Sequence, residues 1–247
     1  MSERAGHARV LTWNIHAPAR RRGLDRVVEL VRKHDPDIVA LQEVDSRGRA
    51  GEHGPFGFLS AALGAHAAEA RTISAPDGHY GHVVISRWPL ADIVLHNISV
   101  SRREPRMAIQ VEVETPYGSL HVAAVHLGLQ VKERSAQAVM IAAFCAAPEE
   151  TTLVVGDFNE WYGSGAVART LKDLFPARTP HRTFPARLPL LRLDRIYCRP
   201  HQAMVRSWTD LGARGISDHL PVIADVRIVD IAGAQAAAEA CQLRVSA

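Results

Sequence analysis

The chain has 247 residues, of which 47% are hydrophobic, and it carries a formal net charge of +3. The apolar fraction is enough for a sizeable core and excludes an intrinsically disordered chain. No stretch approaches the ~18 apolar residues that a membrane span needs, and the first residues lack the apolar core of a signal peptide. We therefore expect a soluble, cytoplasmic protein that does not insert into membranes.

The cysteines and the charged residues give information on disulfides and on the partner. Cys145, Cys198 and Cys241 are an odd number without CxxC spacing, which indicates free thiols rather than a disulfide framework or a zinc site. Most of the cationic residues are arginine, whose guanidinium group pairs well with phosphate. This composition favours an anionic partner, although an arginine-rich proteome would explain it equally well.

The N-terminal segment is predicted to be strand, helix and strand. Residues 10–15 form a short β-rich run, and residues 37–44 form a second, continuously apolar run that brings Gln42 and Glu43 to its end. Between them, apolar residues recur at helical spacing before Asp35-Pro36 stops the helix: Leu24, Val27, Val28 and Val31. The order predicts a parallel strand pair with a crossover helix.

The middle of the chain is predicted to contain a β-hairpin. Residues 107–114 alternate strictly between apolar and polar side chains, and a turn at 115–118 leads into a second alternating run that ends at His126. Such alternation is typical of a sheet with one solvent-facing side. Before this hairpin we expect a glycine-rich loop at 45–56, a short helix at 58–63 and a strand at 82–86.

The remaining segments complete an α/β (α+β) fold. We expect helices at 131–146 and 166–175, and strands at 153–155, 193–197, 204–208 and 220–229. Parallel and antiparallel signals are mixed over residues 1–231 without a linker, which predicts one domain built as a four-layer sandwich of two packed mixed β-sheets flanked by helices. The alanine-rich residues 232–247 are interpreted as a tail or short helix without a function.

Polar residues recur where the predicted strands begin or end, which is where an open α/β sheet presents side chains to a ligand. Carboxylates beside amides and imidazoles indicate metal-assisted hydrolysis. Asp157 and Asn159 lie two residues apart and would face the same way in an extended segment. Taken singly, each residue also has a purely structural explanation. The set comprises Asn14, Glu43, Glu104, His126, Asp157, Asn159, Asp194, Asp218 and His219.

Seven short motifs, in order along nearly the whole chain, resemble those of the endonuclease/exonuclease/phosphatase superfamily, the fold of pancreatic deoxyribonuclease. They are TWNI at 12–15, LQEV at 41–44, GHVVISRWP at 81–89, VHL at 125–127, GDFN at 156–159, LDRIY at 193–197 and SDHLPV at 217–222. His82 departs from the family pattern, which usually carries a smaller amide there. We interpret it as a replacement for a hydrogen-bonding asparagine rather than as a phosphate ligand.

The resemblance implies a metal site. Glu43 would be the main ligand of Mg²⁺ or Mn²⁺, with Asn14 and Asp218 nearby, because such an ion takes few protein carboxylates and keeps several waters. Asp157 would orient or activate the attacking water, and Asn159 would bind a phosphate oxygen.

The resemblance also implies two carboxylate–imidazole pairs. Asp194 would hold His219 in one tautomer and stabilise its charged form, and His219 would act either as the base or as a cation on the phosphate. The motif Arg103-Glu104-Pro105-Arg106 resembles the family segment whose glutamate pairs with a central histidine, so Glu104 is expected to pair with His126.

The substrate stays open among three hypotheses. A metal-dependent phosphodiesterase acting on nucleic acid ranks first, with arginines near residues 20–22, 102–106 and 182–192 as groove candidates. The second is a phosphoesterase for a small or lipid-derived phosphate that uses the same site. The third is a catalytically silent nucleic-acid or partner-binding module on the same fold.

Overall fold

The computed structural model describes residues 6–16, 21–48, 54–146 and 151–228. In chain order its elements are β1 (His7–Asn14), α1 (Arg21–His34), β2 (Ile38–Asp45), α2 (Pro55–Leu63), β3 (His66–Ala75), β4 (Gly78–Ser86), β5 (Leu90–Asn97), β6 (Met107–Thr115), β7 (Gly118–His126), α3 (Val131–Phe144), β8 (Thr152–Asp157), α4 (Ala166–Leu171), β9 (Ala177–Arg178), β10 (Asp194–Arg199), β11 (Met204–Thr209) and β12 (Val222–Arg227). Short 3₁₀ turns flank β11.

The strands form two six-stranded mixed sheets. The first has the order β11-β12-β1-β2-β4-β3, and the second has the order β5-β6-β7-β8-β10-β9. Within the first sheet β1 and β2 are parallel, as expected for two strands joined by the crossover helix α1. Within the second sheet β7 and β8 are parallel, and α3 connects them. The predicted sandwich of two packed mixed sheets is confirmed.

Three apolar clusters hold the layers together. The central cluster lies between the sheets and takes alternate residues from both, such as Val10 and Ala40 from the first and Val122 and Val155 from the second. A second cluster packs the outer face of the first sheet on α1 and α2. A third packs the outer face of the second sheet on α3 and α4. Because strand side chains alternate, each inner strand serves two clusters and is buried on both faces.

Most predicted elements are found, with shifted ends, and three strands were not predicted. The β6–β7 hairpin buries Ile109, Val111 and Val113 and leaves Glu114 exposed, as the alternation predicts. The strands β3, β5 and β9 were missed. Cys145 and Cys198 are free and buried. No described helix is long and apolar enough to span a membrane. Residues 232–247, Cys241 and part of the 45–56 loop lie outside the described residues.

Candidate active site

The sheet register brings three of the polar residues into one row. His126 at the end of β7 lies opposite Asp157 at the end of β8, and Asp157 lies opposite Asp194 at the start of β10. Neighbouring strands are about 4.8 Å apart, so the three side chains share one small region at this end of the second sheet.

The same residues continue the side-chain alternation of the central cluster. In β8, Leu153 and Val155 belong to that cluster, and Asp157, two residues further on, faces the same side of the sheet. In β7, His126 follows Ala124 of the cluster in the same way. The site therefore lies at the polar end of the space between the two sheets, where the apolar pattern stops. Asn14, at the end of β1, reaches the same space from the first sheet, because its amide contacts the Asp157 carboxylate at 3.0 Å.

Glu43 reaches the site through an irregularity in β2. Leu41 and Val44 both pack on the helix side of the sheet, although residues three apart in a regular strand face opposite ways. One extra residue is accommodated at a shift in register with β4 between these two positions, and Glu43 takes a left-handed backbone with φ of 57°. This bulge turns the carboxylate of Glu43 toward Asn14, whose Nδ2 lies 2.8 Å from Glu43 Oε1.

Asp194 and His219 form a buried pair. Asp194 Oδ2 lies 2.8 Å from His219 Nδ1, and the two residues are 0% and 6% exposed. Burial works to lower the pKa of His219, but the charge and hydrogen bond of Asp194, together with Asp157 and Asp218, outweigh it and raise that pKa to about 10. His219 is therefore an imidazolium at neutral pH, with its Nε2 directed toward Asp157 at 4.0 Å.

The surroundings fix the position of His219. Its backbone carbonyl accepts a hydrogen bond from Trp13 Nε1 at 2.9 Å, and its backbone N–H donates to Ser217 Oγ at 3.1 Å. Ser217 Oγ in turn donates to the carbonyl of Asn14, and the Phe184 ring packs on the imidazole with centroids 4.8 Å apart. Trp13 and Asn14 of the first sheet thus help to fix the position of His219, and Asp194 of the second sheet raises its pKa.

Asp157 lies at the centre of the constellation. Its carboxylate accepts hydrogen bonds from Asn14 Nδ2 at 3.0 Å and from the backbone N–H of Asn159 at 2.8 Å. Burial and the charge of Asp194 raise the pKa of Asp157, and the charge of His219 and the two hydrogen bonds oppose that rise. The result is a carboxylate with its pKa above the usual range, next to a cation.

The expected direct pair between Glu104 and His126 is replaced by an arginine that contacts both. Arg106 Nη1 lies 2.9 Å from His126 Nδ1 and 3.3 Å from a Glu104 oxygen. A guanidinium has only donors, so His126 Nδ1 accepts and the ring hydrogen lies on Nε2. Burial and Arg106 lower the pKa of His126 well below its ordinary value. His126 is thus a neutral donor, with Nε2 at 3.7 Å from Asp157 and 3.8 Å from Glu43.

The expectation of an extended segment from Asp157 to Asn159 is wrong. Asn159 has φ of 49°, and its Nδ2 donates to the carbonyl of Leu127 at 2.9 Å. The backbone of Asn159 therefore turns back on Asp157, which is the local geometry that asparagine tolerates better than most residues. Asn159 is 7% exposed, and it lies at the site because of this turn and not because of an extended backbone.

Asp218 and His16 differ from their sequence-based interpretation. Asp218 is exposed and, among the described residues, makes a hydrogen bond with Ser217 at 3.5 Å but none with Asn14 or Glu43. His16 was not proposed as a site residue, yet its Nδ1 lies 2.9 Å from Glu43 Oε2. The signal for His16 was available, since it follows Asn14 by two residues at the same strand end. The sequence predicted no contact between Arg106 and His126.

The carboxylates of the site suit a hard divalent cation, whereas His219 as an imidazolium has no lone pair for one. Asp157, Asp194 and His219 place ligand atoms within 4.8 Å of one another, and the second oxygen of Asp194 is buried without a hydrogen-bond partner among the described residues. Glu43 adds a carboxylate that is 22% exposed. Carboxylate oxygens are the ligands that Mg²⁺ and Mn²⁺ prefer. Asn14, however, turns its amide nitrogen and not its oxygen toward Glu43.

Comparison with known proteins identifies the family. The sequence pattern described as the Endonuclease/Exonuclease/phosphatase family matches residues 11–219. The chain belongs to this family. The match spans the site from the strand that carries Asn14 to His219 itself, and the family includes metal-dependent phosphoesterases and nucleases.

Individual relatives support the same membership. The chain is 34% identical to the protein YbhP of Escherichia coli (strain K12) over 248 residues, covering 89% of this chain and 96% of YbhP. The structure of a family member from Leptotrichia buccalis matches with a TM-score of 0.72 and 15% identity, covering 89% of this chain and 99% of that one. The human Nocturnin catalytic domain, solved with bound sulfate, matches with a TM-score of 0.67 and 18% identity over 93% and 96%.

Proposed function

We propose that this family member is a divalent-metal-dependent phosphodiesterase of the nuclease type, hydrolysing phosphodiester bonds by in-line attack of water. One observation carries the proposal. The single amide of Asn14 lies within hydrogen-bond distance of both the Glu43 and the Asp157 carboxylates, at 2.8 and 3.0 Å. The residue proposed to hold the metal and the residue proposed to prepare the water are therefore neighbours.

Asp157 takes the part of the general base. It is 1% exposed, held in place by Asn14 and the Asn159 backbone, and its raised pKa brings it closer to neutrality, where a base removes a proton from water most effectively. Asn159 positions this carboxylate and is proposed to bind a phosphate oxygen as well.

His219 takes the part of a cation on the scissile phosphate. Its hydrogen bond to Asp194 occupies Nδ1, which leaves Nε2–H free to donate toward a phosphate oxygen. A buried positive charge aimed at developing negative charge stabilises a transition state without reorganisation. Of the two roles left open by the sequence, this one is favoured. His126, neutral with hydrogen on Nε2, is proposed as a second donor, held by Arg106 and through it by Glu104.

Glu43 is the proposed protein ligand of Mg²⁺ or Mn²⁺. The bound ion would neutralise phosphate charge and orient the scissile group. Asn14 becomes a second ligand of the ion only if its amide rotates. Asp218, exposed beside His219, would contact the ion through water. The buried group of Asp157, Asp194 and His219 is a poorer ligand set, because Asp194 and His219 already bond to each other.

The substrate proposed first is nucleic acid. A sulfate is bound to the human Nocturnin catalytic domain, which supports a tetrahedral oxyanion as the ligand of a site on this fold. Of the arginines considered as groove candidates, Arg106 is buried in the site, and Arg20 lies outside the described residues. A small or lipid-derived phosphate diester remains the alternative.

We also propose that residues 1–231 act as one domain in the cytoplasm. Side chains from both sheets are needed to assemble the site, so neither sheet is a functional unit by itself. The two described cysteines are free, which is the usual state in reducing compartments.

The test is turnover with Mg²⁺ on a plasmid, bis-p-nitrophenyl phosphate and p-nitrophenyl phosphate, with and without EDTA. We expect cleavage of the diesters, loss of cleavage with EDTA, and a fall of at least about 100-fold in Glu43→Gln, since the carboxylate ligand is removed. Glu69→Gln, on the edge strand β3, is the matched control and should keep full turnover. Binding of plasmid without cleavage would instead establish a binding module, and hydrolysis of the monoester alone would establish a phosphatase.

A further inference from the structure

The carboxylate of Glu43 has three side-chain neighbours, and their chemistry differs. Asn14 Nδ2 lies 2.8 Å from Oε1, and His126 Nε2 lies 3.8 Å from the same oxygen. His16 Nδ1 lies 2.9 Å from Oε2. Asn14 offers an N–H, and so does His126, because Arg106 donates to its other nitrogen. A cation needs a lone pair. A carboxylate only accepts hydrogen bonds, so His16 Nδ1 donates to Oε2 in this contact. With its hydrogen on Nε2 instead, the same Nδ1 offers a lone pair, which Asn14 Nδ2 never has and His126 Nε2 lacks while Arg106 donates to its Nδ1.

The distance between the two groups also fits a shared ion. Neighbouring ligands in an octahedral sphere with bonds of about 2.1 Å lie about 3.0 Å apart. The separation of His16 Nδ1 from Glu43 Oε2 is 2.9 Å. A metal bound at Oε2 is therefore within coordination distance of the imidazole after only small side-chain movements.

The backbone at both residues is held in an uncommon conformation. His16 has φ of 38° and Glu43 has φ of 57°, a left-handed region that costs non-glycine residues energy and recurs at functional sites. His16 is held there by its backbone N–H, which donates to Asn14 Oδ1 at 3.0 Å. The same bond turns the oxygen of Asn14 away from Glu43. The hydrogen bond that makes Asn14 a poor ligand thus fixes the backbone of His16 beside the carboxylate.

The exposure of His16 suits a ligand that receives its ion from solvent. Its side chain is 68% exposed, whereas that of His126 is 6% exposed. An ion pair between an exposed histidine and a carboxylate contributes little to stability, so folding gives no strong reason for the strained geometry at this pair.

We propose that His16 is a ligand of the catalytic metal, binding through Nδ1 beside Glu43, and that this nitrogen makes the site select Mn²⁺ over Mg²⁺. Imidazole suits first-row transition metals, whereas Mg²⁺ takes oxygen ligands almost exclusively. The inference rests on the proposed metal site at Glu43, and it adds a residue and a metal preference to that site.

The experiment measures binding of Mn²⁺ and of Mg²⁺ by calorimetry without substrate, in wild type, His16→Ala and His201→Ala. His201 is an exposed histidine beyond the far end of β10 and serves as the matched control. We expect the Kd for Mn²⁺ to rise at least about 10-fold in His16→Ala, the Kd for Mg²⁺ to change less than about 2-fold, and both to stay unchanged in the control. Electron spin-echo envelope modulation of bound Mn²⁺ should show ¹⁴N coupling that disappears in His16→Ala.

Equal Mn²⁺ affinity and retained ¹⁴N coupling in His16→Ala would overturn the inference and leave His16 as an ion-pair partner of Glu43. The outcome is independent of turnover. If wild type binds Mn²⁺ through His16 but cleaves no diester, the proposed function fails and the ligand assignment stands. If diesters are cleaved and His16→Ala binds Mn²⁺ as tightly as wild type does, only the ligand assignment fails.

Discussion

The two sheets contribute to the site in different ways. The second sheet places His126, Asp157 and Asp194 by regular register and alternation, and it buries all three. The first sheet places Glu43 by a bulge and His16 by a left-handed turn, and both side chains keep contact with solvent. Regular strand ends thus supply the buried groups that set protonation states, whereas irregular backbone supplies Glu43 and His16, the more open groups that we propose as metal ligands.

The buried half should carry the largest effect on catalysis. Asp157→Asn keeps the shape of the side chain but removes the proposed base, so we expect kcat for a diester to fall at least about 1000-fold. Asp92→Asn, on the exposed edge strand β5, is the control and should turn over as wild type does. Calorimetric Kd values for Mn²⁺ within a few-fold of wild type would show that the fall in kcat comes from lost activation of the water and not from weaker metal binding. A kcat within about 10-fold of wild type would remove Asp157 from the mechanism.

The protonation state set by the buried pair should appear as a shift in pH dependence. With the pKa of His219 raised to about 10, the active imidazolium persists through the neutral range and is lost as the pH rises through that value. Asp194→Asn removes the largest of the charges that raise the pKa of His219, so burial is then opposed by Asp157 and Asp218 alone. We expect the basic limb of kcat/KM to move down by at least about two pH units. A basic limb at the same pH in both proteins would contradict a cationic role.

Gly156, in strand β8 beside the site, should not tolerate a side chain. Gly156 has φ of 142°, and a Cβ there would lie 1.9 Å from the carbonyl oxygen of Val125. We expect Gly156→Ala to lower the free energy of unfolding by about 3 kcal/mol, measured by urea denaturation. Gly163→Ala is the control, because a Cβ there meets nothing within 4 Å. Equal stability of the two variants would show that the strand pair β7–β8 adjusts freely.

A carboxylate away from the site gives the smallest effect and sharpens the contrast. Partial burial works to raise the pKa of Asp210, but hydrogen bonds from Lys33, Gly212 and His34 outweigh it and lower that pKa to about 2. The stabilisation is present above the unfolded value near 4 and is lost as the pH falls toward 2. We expect Asp210→Asn to cost about 1 kcal/mol at pH 7, after allowance for solvent screening, and almost nothing at pH 2. A difference in stability that does not change with pH would contradict this origin.

Sequence patterns predicted the parts of the fold that bury regular faces. The alternation in residues 107–126 and the apolar run of β2 depend on burial, and both elements were found. Strand β3 was not predicted because its buried positions, Ala68 and Ala70, carry only alanine, which is depleted in strands. In β5, Ile93, Val94 and Leu95 are all 44–49% exposed, so no alternation marks the strand.

The parts of the candidate site that lie at regular strand ends were predictable from the sequence. The residues whose side-chain positions depend on a turn were not predicted. The pair of Asp194 and His219 was expected from the resemblance to the family and was found. Arg106 replaced the direct contact of Glu104 with His126, because a long guanidinium reaches a buried imidazole that a short carboxylate on an exposed loop does not. His16 and the turn at Asn159 depend on left-handed backbone conformations, which local sequence does not specify for residues other than glycine.

The most direct test of the central claim is kcat for bis-p-nitrophenyl phosphate with Mn²⁺ in wild type, His219→Ala and His201→Ala. The proposed role of His219 as the cation that Asp194 holds over the scissile phosphate requires measurable turnover in wild type and in His201→Ala. It also requires a loss of at least about 1000-fold in His219→Ala. Equal turnover in His219→Ala and wild type would contradict the assignment of this constellation as the active site.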